Sequence, residues 1–228
     1  MIALTKHVPN VLTLGNLLCG CVGILLARQF PLYGPAYLVW AACVFDFFDG
    51  FSARTLKISS PIGKELDSLA DMVSFGILPA ITMFTWLENR SGESYIPYVA
   101  FLVAIFSALR LAKFNIDENQ QEAFIGLPTP ANALFITGLV FLEPPFSIAL
   151  SSQTSLVAIT IVFSLLLVSP LKLFALKFKN FTWTDNKLRF TFIGLAVLLL
   201  VWKHAEGVPL IIILYILISL LEKVLTKR

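Results

Sequence analysis

Four aspartates, Asp46, Asp49, Asp67 and Asp71, stand within one segment, DFFDGFSARTLKISSPIGKELDSLAD, of a chain in which charge is otherwise sparse. A carboxylate close to lipid is costly unless it is paired or holds a cation. Several of them together have the chemistry of a divalent-metal site. Oxygen ligands of this kind suit hard ions such as Mg²⁺ or Mn²⁺, completed by phosphate and water. Gly50 and Ala53 remove bulk beside the first pair, so a nucleotide or diphosphate could approach the backbone. Arg54 adds a fixed positive charge with the fork geometry that grips phosphate.

Two helices must position these groups. At about 100° per residue, Asp46, Asp49, Gly50 and Ala53 share one stripe of a helix, and Gly63, Asp67 and Asp71 share a stripe of the next. Pro61 suits the first turn of that second helix. The connection over residues 55–62 would let two antiparallel helices turn their carboxylates toward each other.

The rest of the chain says what surrounds them. Of 228 residues, 57% are hydrophobic and only 14% charged, with a mean hydropathy of +0.84. Soluble domains carry about 25% charged residues, so this composition calls for lipid as the solvent. Apolar runs predict eight membrane spans at 11–30, 34–53, 65–87, 95–114, 129–143, 154–172, 188–203 and 207–222. The fifth, seventh and eighth are short, and the final pair would also suit one re-entrant hairpin. The expected fold class is thus all-α, a polytopic helical bundle forming a single membrane-embedded domain over 1–228. Most of the 17 lysines and arginines fall on one side of this arrangement, against Arg28, Arg90 and Lys203 on the other. The excess of positive charge predicts that both termini and the aspartate segment face the cytoplasm. A net charge of +3 is too small to argue for nucleic acid. Lys6 precedes a long apolar stretch without a small-residue cleavage site, so no signal peptide is expected. Cys19, Cys21 and Cys43 lie in apolar stretches without a partnering Cys/His cluster, and are read as packing residues rather than zinc ligands.

The order Asp46, Asp49-Gly50, Ala53-Arg54, Gly63, Asp67, Asp71 resembles the signature of the CDP-alcohol phosphotransferase family, with every position filled. PNVLTLGNLLCG (Pro9–Gly20), SFGILPA (Ser74–Ala80), RLAKFN (Arg110–Asn115) and FIGLPTPANA (Phe124–Ala133) are similar to its phosphatidylserine synthase branch. VSPLKLFALKFKNF (Val168–Phe181) resembles that branch less diagnostically. The likeness covers most of 9–181, leaving 182–228 as a C-terminal helical pair.

The resemblance implies a bacterial cytoplasmic-membrane enzyme, working as a homodimer among membrane lipids, that moves a phosphatidyl group from CDP-diacylglycerol to L-serine and releases CMP. It implies Asp46, Asp49, Asp67 and Asp71 as ligands of Mg²⁺ or Mn²⁺, the first three mainly so, with Asp71 adjoining them and serving as base. Gly50, Ala53, Arg54, Gly63 and Asn16 would hold CDP-diacylglycerol. For serine, Arg110 and Lys113 have the charge to bind a carboxylate, and Asn115 and Ser74 could donate or accept hydrogen bonds. Arg110 and Lys113 also suit anchoring a helix end, and Gly50 and Gly63 also suit close helix packing. Other acceptors remain open within the family: glycerol 3-phosphate, inositol or inositol phosphate, or serine with an archaeal-type lipid donor. A cation carrier is a third reading, but carriers place carboxylates near the midplane on broken helices, whereas here they crowd one interface beside Arg54.

Overall fold

A computed structural model describes residues 7–29, 31–57, 60–91, 94–116, 123–150, 152–174, 180 and 182–226. Each expected span finds an apolar helix: α1 (Val8–Leu26), α2 (Tyr33–Leu56), α3 (Pro61–Asp71) running on into α4 (Leu78–Ser91), and α5 (Phe101–Ile116). After these come α6 (Thr129–Gly138), the short α7 (Phe146–Ala149), α8 (Gln153–Val168), α9 (Trp183–Lys203) and α10 (Gly207–Thr226). Five segments are long and apolar enough to cross a bilayer, the last of them, Trp183–Glu222, spanning both α9 and α10. Thr129–Phe141 and Gln153–Val168 are shorter apolar helices. The chain is an integral membrane protein built as an all-α bundle.

The last two helices are longer than their apolar runs. α9 covers 21 residues with a kink near its start, and α10 covers 20, the latter enough for a crossing. The first turn of α9 is polar, and side chains hold it: Asn186 Nδ2 donates to Asn180 Oδ1 and to Thr182 O, and Thr182 Oγ1 donates to Asp185 Oδ2. The chain is kinked at Asn186, φ −121°, and the continuous helix runs from just beyond it, close to residue 188 where hydropathy places its start. Lys6, Lys177 and Lys179, counted with the basic residues above, lie outside the described residues.

Three local features position the aspartates. Lys57 ends α2 in a left-handed conformation, φ 53°. Ser60 then caps α3, its Oγ accepting from Gly63 N at 3.0 Å, with Pro61 in the first turn. Losing such a cap costs about 1 kcal/mol, so Ser60→Ala is expected to lower the thermal unfolding midpoint of detergent-solubilised protein modestly. An unchanged midpoint would show that the cap carries no weight. Immediately after Asp71, residues Met72–Ile77 open into π-helix before α4 resumes. Pro79 has no N–H for the Phe75 carbonyl, which weakens the α ladder at this point.

α1 lies against α2, α3 and the π-helical turn. Its buried residues, Pro9, Thr13, Asn16, Gly20 and Gly23, recur at helical spacing and are all small or polar. A Cβ on Gly20 would stand 3.0 Å from the backbone N of Ser74, so only glycine allows this approach. Elsewhere α5 packs on α8, and α6 on both α2 and α10. One apolar cluster surrounds Met83, Leu87, Val103, Ile136, Leu156 and Phe163; a smaller one joins Val39, Phe75, Leu78 and Ala133.

A two-stranded ribbon, which the sequence pattern did not predict, connects the helices near Arg110. β1 (Ala123–Ile125) pairs antiparallel with β2 (Lys172–Phe174), with Phe124 opposite Leu173. Gly126 turns the chain at φ +78°, a conformation that suits glycine. Its N–H and that of Leu127 then bond to Leu171 O and Leu166 O, each at 2.9 Å. Tyr215 Oη of α10 donates to Phe174 O at 2.8 Å and ties the ribbon to the bundle.

Candidate active site

The C-terminal half of α2 and the first turns of α3 bring three of the four aspartates together. Asp46, Asp49 and Asp67 each offer a carboxylate oxygen, and these oxygens lie within 4.8 Å of one another. Asp49 is buried, at 6% exposure, while Asp46 and Asp67 are half-buried. Asp67 Oδ1 is shielded from solvent yet has no hydrogen-bond partner among the described residues. Like charges held this close repel, and a carboxylate oxygen left dry is costly. A hard divalent cation would satisfy both deficits, so the donor set fits one.

α1 supplies the supports, from residues distant in sequence. The Thr13 hydroxyl lies 2.7 Å from Asp49 Oδ2 and 3.0 Å from Pro9 O, with one proton to donate between them. Asn16 Nδ2 donates to Asp71 Oδ1 at 3.0 Å. Ser74 Oγ in turn donates to Asn16 O at 2.8 Å. Asp71 therefore sits one turn deeper than Asp67, buried to 9% exposure, with one oxygen fixed by an amide.

A cleft of about 250 Å³ opens over the cluster. Asp49, Gly50, Ala53, Gly63 and Asp67 line it together with Pro9, Asn10, Thr13, Ser60 and Lys64. A Cβ on Gly50 would stand 3.3 Å from Arg54 Nη1, and one on Gly63 would stand 2.9 Å from Ser60 Oγ. Both glycines keep the cleft floor low. Arg54 is exposed at its edge.

The residues expected on the serine side are arranged unevenly. Arg110 is buried, with Nη1 3.4 Å from Thr129 Oγ1, and its guanidinium interacts electrostatically with Asp71 and Tyr215. Lys113 is exposed one turn further along α5. Asn115 is already engaged: its Nδ2 donates to Ser68 Oγ at 2.8 Å and its carbonyl accepts from Lys64 Nζ at 2.9 Å. Asn16 gives its Nδ2 to Asp71 and Ser74 its hydroxyl to the Asn16 main-chain O, while Asn16 Oδ1 has no hydrogen-bond partner among the described residues. Thr13, Asn10 and Ser60 were absent from the expected set. The buried periodicity of α1 and the cap before Pro61 were the sequence signals that could have found them.

Basic residues divide between the two ends of the bundle. Arg28 pairs with Glu88 at 3.0 Å and Lys203 with Glu206 at 3.2 Å, and Lys203 lies beside Tyr33, at the end of α2 remote from the aspartates. Arg54 and Lys64 lie at the aspartate end.

Comparison with known proteins bears on the same residues. A family described as CDP-alcohol phosphatidyltransferase matches residues 6–221. A Bacillus subtilis protein named CDP-diacylglycerol–serine O-phosphatidyltransferase is 32% identical over 151 residues, covering 64% of this chain and 82% of the relative. A Helicobacter pylori protein of the same name is 35% identical over 137 residues, covering 59% of this chain and 57% of that protein. One from Methanocaldococcus jannaschii, again so named, is 34% identical over 165 residues and 72% of each chain. With the family match running almost the whole length of the bundle and across every aspartate of the cluster, this chain belongs to the CDP-alcohol phosphatidyltransferase family.

Proposed function

We propose that this protein transfers the phosphatidyl group of CDP-diacylglycerol to the hydroxyl of L-serine, giving phosphatidylserine and CMP. The observation that carries the reading is the convergence of Asp46, Asp49 and Asp67, the last two lining a cleft together with Gly50, Ala53 and Gly63. Bound by those three carboxylates, Mg²⁺ or Mn²⁺ would neutralise the diphosphate and make its phosphorus more electrophilic. The glycines let the diphosphate approach the α2 and α3 backbones, and Arg54 at the rim offers it a guanidinium. Asp71 accepts the proton of the serine hydroxyl as that oxygen attacks the diacylglycerol-side phosphorus. The bond from this phosphorus to the bridging oxygen breaks, and CMP leaves. Asn16 keeps one Asp71 oxygen occupied so that the other is presented to the acceptor, and Ser74 holds Asn16 in place. Arg110, with Lys113 above it, receives the serine carboxylate. Lipid chains lie between helices, exposed to the bilayer.

The wider setting follows from the same reading: one membrane-embedded domain in a bacterial cytoplasmic membrane, its cleft facing the cytoplasm because the basic residues gather there. It acts as a homodimer, which a detergent-corrected mass of one chain would contradict.

Purified protein given CDP-diacylglycerol and Mg²⁺ or Mn²⁺ is expected to release CMP with L-serine and not with glycerol 3-phosphate or inositol. Both alternatives bring different demands: a phosphorylated acceptor needs more cations than Arg110 and Lys113 supply, and inositol needs no carboxylate partner. Faster release with either would replace the serine assignment while leaving the family intact.

A further inference from the structure

The interior beside Asp71 holds a second group of polar side chains that the aspartate cluster and the cleft do not use. Ser107 and Arg110 stand one turn apart on α5, and Thr129 and Asn132 one turn apart on α6. Arg110 Nη1 reaches Thr129 Oγ1 at 3.4 Å, which sets these two polar faces against each other. Ser107 borders the π-helical turn that follows Asp71: a Cβ on Gly76 would stand 3.2 Å from Ser107 Cβ. Asp71 itself is within electrostatic reach of Arg110. Ser107 and Asn132 are 0% exposed and Arg110 is 7% exposed. Even so, Ser107 Oγ, Arg110 Nε, Asn132 Nδ2 and Asn132 Oδ1 have no hydrogen-bond partner among the described residues.

Native interiors rarely leave one such atom unpaired, and in a bilayer the penalty is not relieved by solvent. Four of them on facing helices next to a proposed base describe a site built for a small polar ligand. We propose that Asn132, with Ser107 and Arg110, forms the pocket that binds the amino and carboxylate groups of the acceptor. The inference rests on the serine reading above and adds the residue that selects for it. Arg110 Nε, Ser107 Oγ and Asn132 Nδ2 are donors suited to a carboxylate, while Asn132 Oδ1 is an acceptor suited to an ammonium. An amide can serve both halves of a zwitterion at once, which neither an arginine nor an aspartate can. Arg110 also lines a hollow of about 60 Å³, together with Lys113, Phe114, Ile125, Leu167 and Val168.

The test is steady-state CMP release by the detergent-purified full chain with its divalent metal, comparing wild type with Asn132→Leu, which keeps the volume and removes both polar atoms. The KM for L-serine is expected to rise about tenfold to a hundredfold, the usual loss when a hydrogen bond to a charged group is removed, with the KM for CDP-diacylglycerol unchanged. L-serine methyl ester, which lacks the carboxylate charge, supplies the second arm. Wild type should lose at least about tenfold in kcat/KM on this change, and the variant much less, because the two alterations remove one shared interaction. If Asn132→Leu does not fold, as judged by its unfolding midpoint and its saturation with CDP-diacylglycerol, Asn132→Ala carries the same comparison. An unchanged serine KM, or an equal methyl-ester penalty in both proteins, would show that Asn132 is satisfied by ordered water and overturn the proposal. Wild type that uses another acceptor and not serine would instead remove the serine reading on which it stands.

Discussion

Asp71→Asn is expected to lower serine-dependent CMP release by about 10²–10⁴-fold, the usual contribution of a positioned general base. The substitution is nearly isosteric, and its side-chain oxygen can still accept from Asn16 Nδ2, so the contact of α1 with α3 should survive. What an amide cannot do is take up the hydroxyl proton. The loss should therefore fall on kcat, with CDP-diacylglycerol still saturating at its normal concentration and the unfolding midpoint little changed. Asn16→Ala should reproduce part of the defect, because it frees the Asp71 oxygen that Asn16 now holds. The assay is a single-turnover measurement with both substrates saturating. A rate close to wild type in Asp71→Asn would assign the proton transfer to another group and leave Asp71 a packing role.

Asp67→Asn should have an equally large effect on turnover, for a different reason, and the two can be separated by heat. Asp46, Asp49 and Asp67 place carboxylate oxygens within 4.8 Å of one another, and one Asp67 oxygen is buried without a partner among the described residues. Without a cation that arrangement opposes folding, since like charges in partial burial destabilise each other. With one, the folded state gains by mass action, about 2.7 kcal/mol when the metal is at a hundredfold excess over its Kd. Wild type is thus expected to show an unfolding midpoint that rises strongly when Mn²⁺ replaces EDTA. Asp67→Asn should begin higher in EDTA, having one charge fewer, and respond much less to the metal. CMP release by wild type should stop in EDTA and return when metal is restored. A variant whose midpoint responds to Mn²⁺ as wild type does would remove Asp67 from the ligand set.

The helical repeat alone makes the aspartates legible in the sequence. Asp46 and Asp49 are three residues apart, Asp67 and Asp71 four, and a helix places such residues on one face whatever surrounds them. Ser60-Pro61 marks the start of α3 for the same local reason, and the eight apolar runs locate the helices because hydropathy is a property of neighbours in sequence. The π-helical turn after Asp71 shows in the sequence only as a proline, Pro79, whose consequence depends on how the next turn is packed. The ribbon of β1 and β2 leaves no such trace, because three-residue strands are too short to show an alternating pattern.

Partnerships between helices were beyond the sequence's reach. Nothing local tells Thr13 that it will meet Asp49, or Asn16 that it will hold Asp71, across 36 and 55 residues of chain. The amide of Asn132 looks like a helix-start residue in FIGLPTPANA until packing buries it completely, with both polar atoms unpaired among the described residues. Residue types and their short-range spacing thus determined which side chains could hold a cation and which stretches would enter the bilayer. Which carboxylates meet, which one is kept apart on an amide, and where polar atoms wait unpaired were decided by helix packing. Those contacts depend on the relative rotation and depth of whole helices, quantities that sum over every residue of the bundle.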